Sequence, residues 1–108
     1  MVNKIATTQD FLEYVCDQVS ASGDATYRKM FGEGMVYVNA KPVLLICNNT
    51  VYVKMLDEIK DILSDAETGY LYPKAKLHYI LDIDNIVLSN EVVSILEPIT
   101  KIPAKKKK

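Results

Sequence analysis

Residues 25–55 read ATYRKMFGEGMVYVNAKPVLLICNNTVYVKM, and their pattern decides the fold. Thr26 to Phe31, Met35 to Val38, Val43 to Cys47 and Val51 to Met55 are runs rich in β-branched, tyrosine and other apolar residues, a composition that suits a pleated surface. Turn formers divide them: Gly32-Glu33-Gly34, then Asn39-Ala40-Lys41-Pro42, then Asn48-Asn49-Thr50. Short strands joined by such turns predict an antiparallel meander. Val51, Val53 and Met55 alternate with Tyr52 and Lys54, as in a strand with one wet face, whereas Val43 to Cys47 is apolar on both faces. A run of that kind is a central strand, or one whose second face meets a partner.

Toward the N-terminus, Thr7-Thr8-Gln9-Asp10 is a cap-like start, and Phe11, Leu12, Val15, Cys16 and Val19 follow at helical spacing. A helix over about residues 8–21 is expected, stopped by Ser22-Gly23-Asp24. Toward the C-terminus, Asp57 is placed to cap a short helix with Ile59, Ile62, Leu63 and Ala66 on its buried stripe. Tyr70 to Tyr72 and Leu77 to Leu81 read as a second hairpin. Ser89 is expected to cap a last helix carrying Val92, Val93, Leu96, Ile99 and Ile102, which Pro98 should kink or end. The order helix, strands, helix, hairpin, helix is that of an α+β fold with an antiparallel sheet of about five to six strands and flanking helices.

The 108 residues are 49% hydrophobic and 25% charged, ordinary values for one soluble domain. That domain is expected to span residues 1–103, with a solvated tail at 104–108. Lys101 and Lys105 to Lys108 hold five of the 13 basic residues, so residues 1–100 carry eight basic against 14 acidic side chains, a net charge of −6. Nucleic-acid affinity rests on neutralising phosphates, so an acidic body argues against a direct sequence-specific nucleic-acid face. Lys105, Lys106, Lys107 and Lys108 are left as candidate contacts for an acidic partner. Residues 1–8 lack a signal-like apolar run, and no apolar stretch nears the ~20 residues needed to span a bilayer, so a cytoplasmic location without membrane contact is expected.

Chemistry-bearing residues are sparse. Cys16 and Cys47 form no CxxC pair and stand among apolar neighbours, which predicts two buried thiols rather than a disulfide or a zinc site. The single histidine, His78, reads as a half-exposed strand residue, and Asp82 and Asp84 as solvated or turn-bonding carboxylates. Gly32-Glu33-Gly34 lacks the further glycine or GK[ST] of a phosphate cradle and is expected to form a bulge or tight turn. No catalytic group, metal or cofactor is expected.

The stretch Arg28-Lys29-Met30-Phe31-Gly32-Glu33-Gly34-Met35-Val36-Tyr37 resembles the signature of the TfoX N-terminal domain family, which runs arginine, any residue, Met-Phe-Gly-Gly, a short spacer, glycine, aliphatic, tyrosine. Here the glycine segment is one residue shorter, with Glu33 where a glycine often stands. The likeness extends over about residues 8–100. It implies a small antiparallel sheet with flanking helices acting as a protein-interaction module, similar to the N-terminal domain of TfoX-type competence regulators but standing without their C-terminal domain. A transcription regulator is the implied kind of partner. The motif residues Arg28, Met30, Phe31, Gly32, Gly34 and Tyr37 are expected to be structural or interfacial, with Phe31 in the core, the glycines bending the strand and Arg28 paired to a carboxylate. Leu44, Ile46 and Tyr52 are candidate interface positions, and a homodimer is one arrangement they would serve. The alternative is a small ligand-binding protein or enzyme on the same sheet.

Overall fold

A computed structural model describes residues 7–30, 33–71 and 74–102 of the chain. Phe31, Gly32, Tyr72 and Lys105 to Lys108, and the side chain of Met30, lie outside the described residues. The chain runs α1 (Gln9–Gln18), β1 (Ala25–Met30), β2 (Glu33–Val38), β3 (Lys41–Cys47), β4 (Thr50–Lys54), β5 (Thr68–Tyr70), β6 (Leu77–Leu81) and α2 (Ile86–Ile99). Single 3-10 turns follow α1 at Ser20–Ser22 and β4 at Asp57–Ile59. All six strands form one sheet in the order β1-β2-β3-β4-β6-β5, with every neighbouring pair antiparallel. The fold is α+β, as the order of elements predicts.

The turns are tighter than the sequence suggests. Val38 pairs with Lys41 and Cys47 with Thr50, so only Asn39-Ala40 and Asn48-Asn49 lie between strands. All four have positive φ, from 53° to 69°. That is the two-residue hairpin geometry whose twist matches the flanking strands. Asn tolerates it well because its short polar side chain bonds locally. Asn39 Oδ1 accepts from the amide of Asp24 at 3.0 Å, and Asn49 Oδ1 from the amide of Thr8 at 2.9 Å. The second bond ties the β3–β4 turn to the start of α1, where the Thr8 hydroxyl accepts from the amide of Phe11.

The register sorts the side chains onto two faces. Gly34, Ile46, Val51 and Leu81 lie directly opposite one another across β2, β3, β4 and β6. With Val36, Val38, Leu44 and Val53 this face meets Leu12, Val15 and Val19 of α1, Val92, Val93 and Leu96 of α2, and Ile59 and Leu63 of the link between β4 and β5. At Gly34 an added Cβ would stand 2.5 Å from Leu12 Cδ2. The glycine therefore sits in a regular paired strand, opposite Lys29 and Ile46, and its role is to let α1 rest on the sheet rather than to bend it. The irregularity in β2 lies further on, at Val36/Tyr37, opposite the bulged Val43.

Four local expectations are corrected. Asn85, whose Oδ1 accepts from the amide of Leu88 at 3.0 Å, is the N-cap of α2. Ser89 is a fully buried residue within that helix, donating to the carbonyl of Asp82. Residues 57–66 form one 3-10 turn followed by further turns rather than an α-helix, although Ile59 and Leu63 are buried as the stripe required. The first strand of the second hairpin, β5, runs Thr68–Tyr70 rather than starting at Tyr70, so Gly69 lies within it. Pro98 falls in the last turn of α2, which ends at Ile99. Ile99 and Ile102 are exposed, so Val92, Val93 and Leu96 carry the helix's share of the core.

Candidate functional site

On the face away from the helices the register lines up Met35, Leu45, Tyr52 and Ile80 across β2, β3, β4 and β6, with exposed Arg28 continuing the line on β1. The four apolar members are each half-buried. None of the four belongs to the core that packs on the helices, although Met35 and Leu45 share a groove with Leu96 and Ile99 of α2. Tyr37 lies one pleat along on the same face and is also half-buried. Gly69 makes room at the β5 end, where a Cβ would stand 3.1 Å from Ile80 Cδ1 and 3.6 Å from Tyr52 Cε2. The Tyr52 ring meets the His78 imidazole edge-on, with centroids 6.5 Å apart. Burial pushes the Tyr52 phenol pKa up, and the neighbouring Cys47 thiol adds to the effect. Cys47 closes the far end of this face, its Sγ donating to the carbonyl of Leu71 at 3.4 Å.

Leu44 and Ile46 are corrected as interface residues. Both are fully buried beneath the helices, because β3 alternates and the helices cover the parity that holds them. Leu45, between them, is the residue of β3 that faces outward with Tyr52. The sequence makes β3 apolar on both faces but cannot say which parity the helices take. Arg28 is exposed, and among the described residues no carboxylate lies within salt-bridge distance of it. Among the described residues the ion pair is Lys41–Glu97 at 3.0 Å, which joins the β2–β3 hairpin to the end of α2.

The other singled-out groups have local partners. Burial, then Asp17 and Glu13, push the Cys16 thiol up to about 11, and burial with Glu33 raises Cys47, so neither is poised as a thiolate. Both cysteines are free. His78 is half-buried on β6, with Nδ1 2.8 Å from the carbonyl of Lys76. Asp82 accepts from the amide of Asp84, and Asp84 accepts from the Tyr14 hydroxyl at 2.5 Å, a bond that joins α1 to the turn before α2. That bond, with burial and the charges of Asp84 and Asp82, raises the Tyr14 pKa. No cluster of three or more potential metal ligands occurs among the described residues, and no helix among them is long and apolar enough to cross a membrane.

Two of the grooves beside the sheet bear on its chemistry. One, of about 660 Å³, lies beside the 57–66 turns and is lined by Asp61, Asp65, Glu67 and Asp82 with Leu63 and Leu88. The other, of about 470 Å³, opens where β3 and β4 separate. Their pairing runs only from Cys47↔Thr50 to Leu45↔Tyr52, while β3 extends back to Lys41 and β4 on to Lys54, still paired to β6. Pro42, with no amide hydrogen to donate, stands in this part of β3, which pairs with β2 and not with β4. Sequence reasoning missed both grooves, since strand separation leaves no local signal.

No family model matches the chain. Over 78 residues it is 31% identical to an uncharacterized 12.7 kDa protein in the trpE 5′ region of Spirochaeta aurantia, covering 72% of this chain and 68% of that relative.

Proposed function

We propose, for a chain that belongs to the family of that spirochaete protein, that it serves as a small protein-interaction module, binding through the open face of its sheet. The row Met35–Leu45–Tyr52–Ile80 carries the reading: a half-buried apolar line with a tyrosine at its centre that stands outside the core beneath the helices. Methionine and aromatic side chains are enriched at the centres of protein interfaces, where a tyrosine supplies large contact area at low entropic cost. Exposed Arg28, Glu33 and Lys54 surround the row with charges of both signs, which give a partner its orientation more than its affinity. The resemblance to the TfoX N-terminal domain points to a transcription regulator as that partner, and the net charge of −6 over residues 1–100 favours action through protein rather than nucleic acid.

The test is capture from native cell extract with the wild-type chain and with a Leu45→Glu/Tyr52→Glu variant, each first checked by circular dichroism and thermal unfolding. The expected result is a protein retained by the wild type and lost by a folded variant. Equal retention by both would overturn the open face as the binding surface.

A further inference from the structure

We infer that the groove between β3, β4 and the last turn of α2 is a binding site for a small amphiphilic carboxylate, an aliphatic chain ending in one anionic group. Its walls are apolar, with Val43, Leu45, Val53, Leu96 and Ile99 contributed by three different elements. Val53 and Leu96 are almost fully buried and belong to the core, so the floor of the groove is held in place by the packing of the domain itself. The only charged side chains lining it are Lys54 and Lys101, and no carboxylate lines it among the described residues. In a body of net charge −6 this local excess of positive charge stands out. Both lysines are exposed and make no ion pair among the described residues, unlike Lys41, which Glu97 engages. The volume of about 470 Å³ falls in the range of small-molecule sites, which are mostly apolar with a few polar groups fixing orientation.

These features select the ligand by chemistry. The aliphatic chain replaces water against the valine and leucine walls, a gain proportional to the apolar area covered. The carboxylate reaches the rim, where Lys54 or Lys101 donates a charge-assisted hydrogen bond. The larger groove cannot take the same ligand, because Asp61, Asp65, Glu67 and Asp82 would repel it. This inference goes beyond the interaction reading. Met35 and Leu45 border both the groove and the open face, and Lys54 stands at the rim of both, but Lys101 belongs to the groove alone, so Lys101→Gln disables it without touching the open face.

Decanoate is the probe, with decanol and decylamine as chain-matched neutral and cationic controls, each added below its aggregation range. Binding is followed by calorimetry and by methyl shifts of the folded protein. Decanoate should saturate and shift the methyl signals of Val43, Val53, Leu96 and Ile99, with decanol weaker by roughly two- to fivefold, the factor that loss of one ion pair at an exposed lysine gives. Lys54→Gln with Lys101→Gln should bring decanoate down to the decanol level at unchanged melting temperature. Equal binding of decanoate and decanol, unchanged affinity in the double variant, shifts confined to the open face or the acidic groove, or no saturable binding would each overturn the assignment. If Lys101→Gln alone weakens decanoate but still captures the partner lost by Leu45→Glu/Tyr52→Glu, the two sites are distinct, and the interaction reading stands whatever the ligand result.

Discussion

Gly34 shows how a single residue couples two elements. The position is strand-like in every local respect, yet a methyl group there would press into the side chain of Leu12, itself fully buried. Gly34→Ala is expected to cost about 1–3 kcal/mol, the usual penalty for overpacking a core. Leu12→Val in the same chain should recover part of that loss in urea unfolding, and strictly additive effects would show that the contact is not the cause. Ala40 presents the opposite case, a side chain where glycine fits better. Its φ of 69° places an exposed alanine in the left-handed region with none of the local bonding that asparagine supplies. Ala40→Gly makes the turn Asn-Gly, the pair most favoured in such hairpins, and should stabilise by about 0.5–1 kcal/mol after the greater freedom of glycine in the unfolded chain is deducted. A lowered melting temperature would contradict this. Neither effect was legible in the sequence: the motif draws attention to Gly34, but its reason lies on a helix distant in the chain, and the turn after β2 reads as four residues until the pairing fixes it at two.

At the scale of elements, the strands were legible because β-branched and tyrosine-rich runs alternate with turn formers, and β1 to β4 stand close to where those runs fall. Helix starts were harder. Asn85 and Ser89 are equally good cap residues, and the exposed Ile86 and Val87 between them give no amphipathic signal to separate the two. The end of α2 at Pro98 was legible, but its anchor was not: Lys41 on the β2–β3 hairpin donates both to the carboxylate and to the carbonyl of Glu97. The hydrogen bond from Lys41, aided by Asn39 and opposed by burial, holds the Glu97 carboxyl below the ordinary range. A depressed folded-state pKa contributes stability that is complete above the unfolded value and is lost as pH falls through the folded one. The gap in urea midpoint between wild type and Lys41→Met should therefore be widest near neutral pH and narrow below about pH 4–5, where carboxylates ordinarily protonate. The carbonyl contact is insensitive to pH over that range and leaves a residual difference. A gap that does not change with pH would assign the whole effect to that contact.

For the molecule as a whole, the deciding property is a sheet apolar on both sides whose core with the described helices lies on only one. Adjacent residues of β3 express it: Ile46 is sealed beneath α1 and α2, while Leu45 looks outward between Met35 and Tyr52. Ile46→Ala should cost about 2–5 kcal/mol as a full core truncation. Leu45→Ala should cost clearly less, because part of its surface is already in water, and similar costs for the two would mean that the outer face is as closed as the inner one. The double-sided character of β3 was legible from Val43 to Cys47, but the face left open was not, because it depends on where two helices far apart in sequence come to rest. A second copy of the chain is one occupant such a face can take, since two-fold pairing is the commonest soluble assembly and the charges around the row are of both signs. On that arrangement, sedimentation equilibrium should give a weight-average mass that rises above 12.2 kDa with concentration, and Tyr52→Glu should hold it at 12.2 kDa by placing a charge at the centre of the contact. A wild-type mass fixed at 12.2 kDa through high micromolar concentration would exclude self-pairing and leave the face to a different protein.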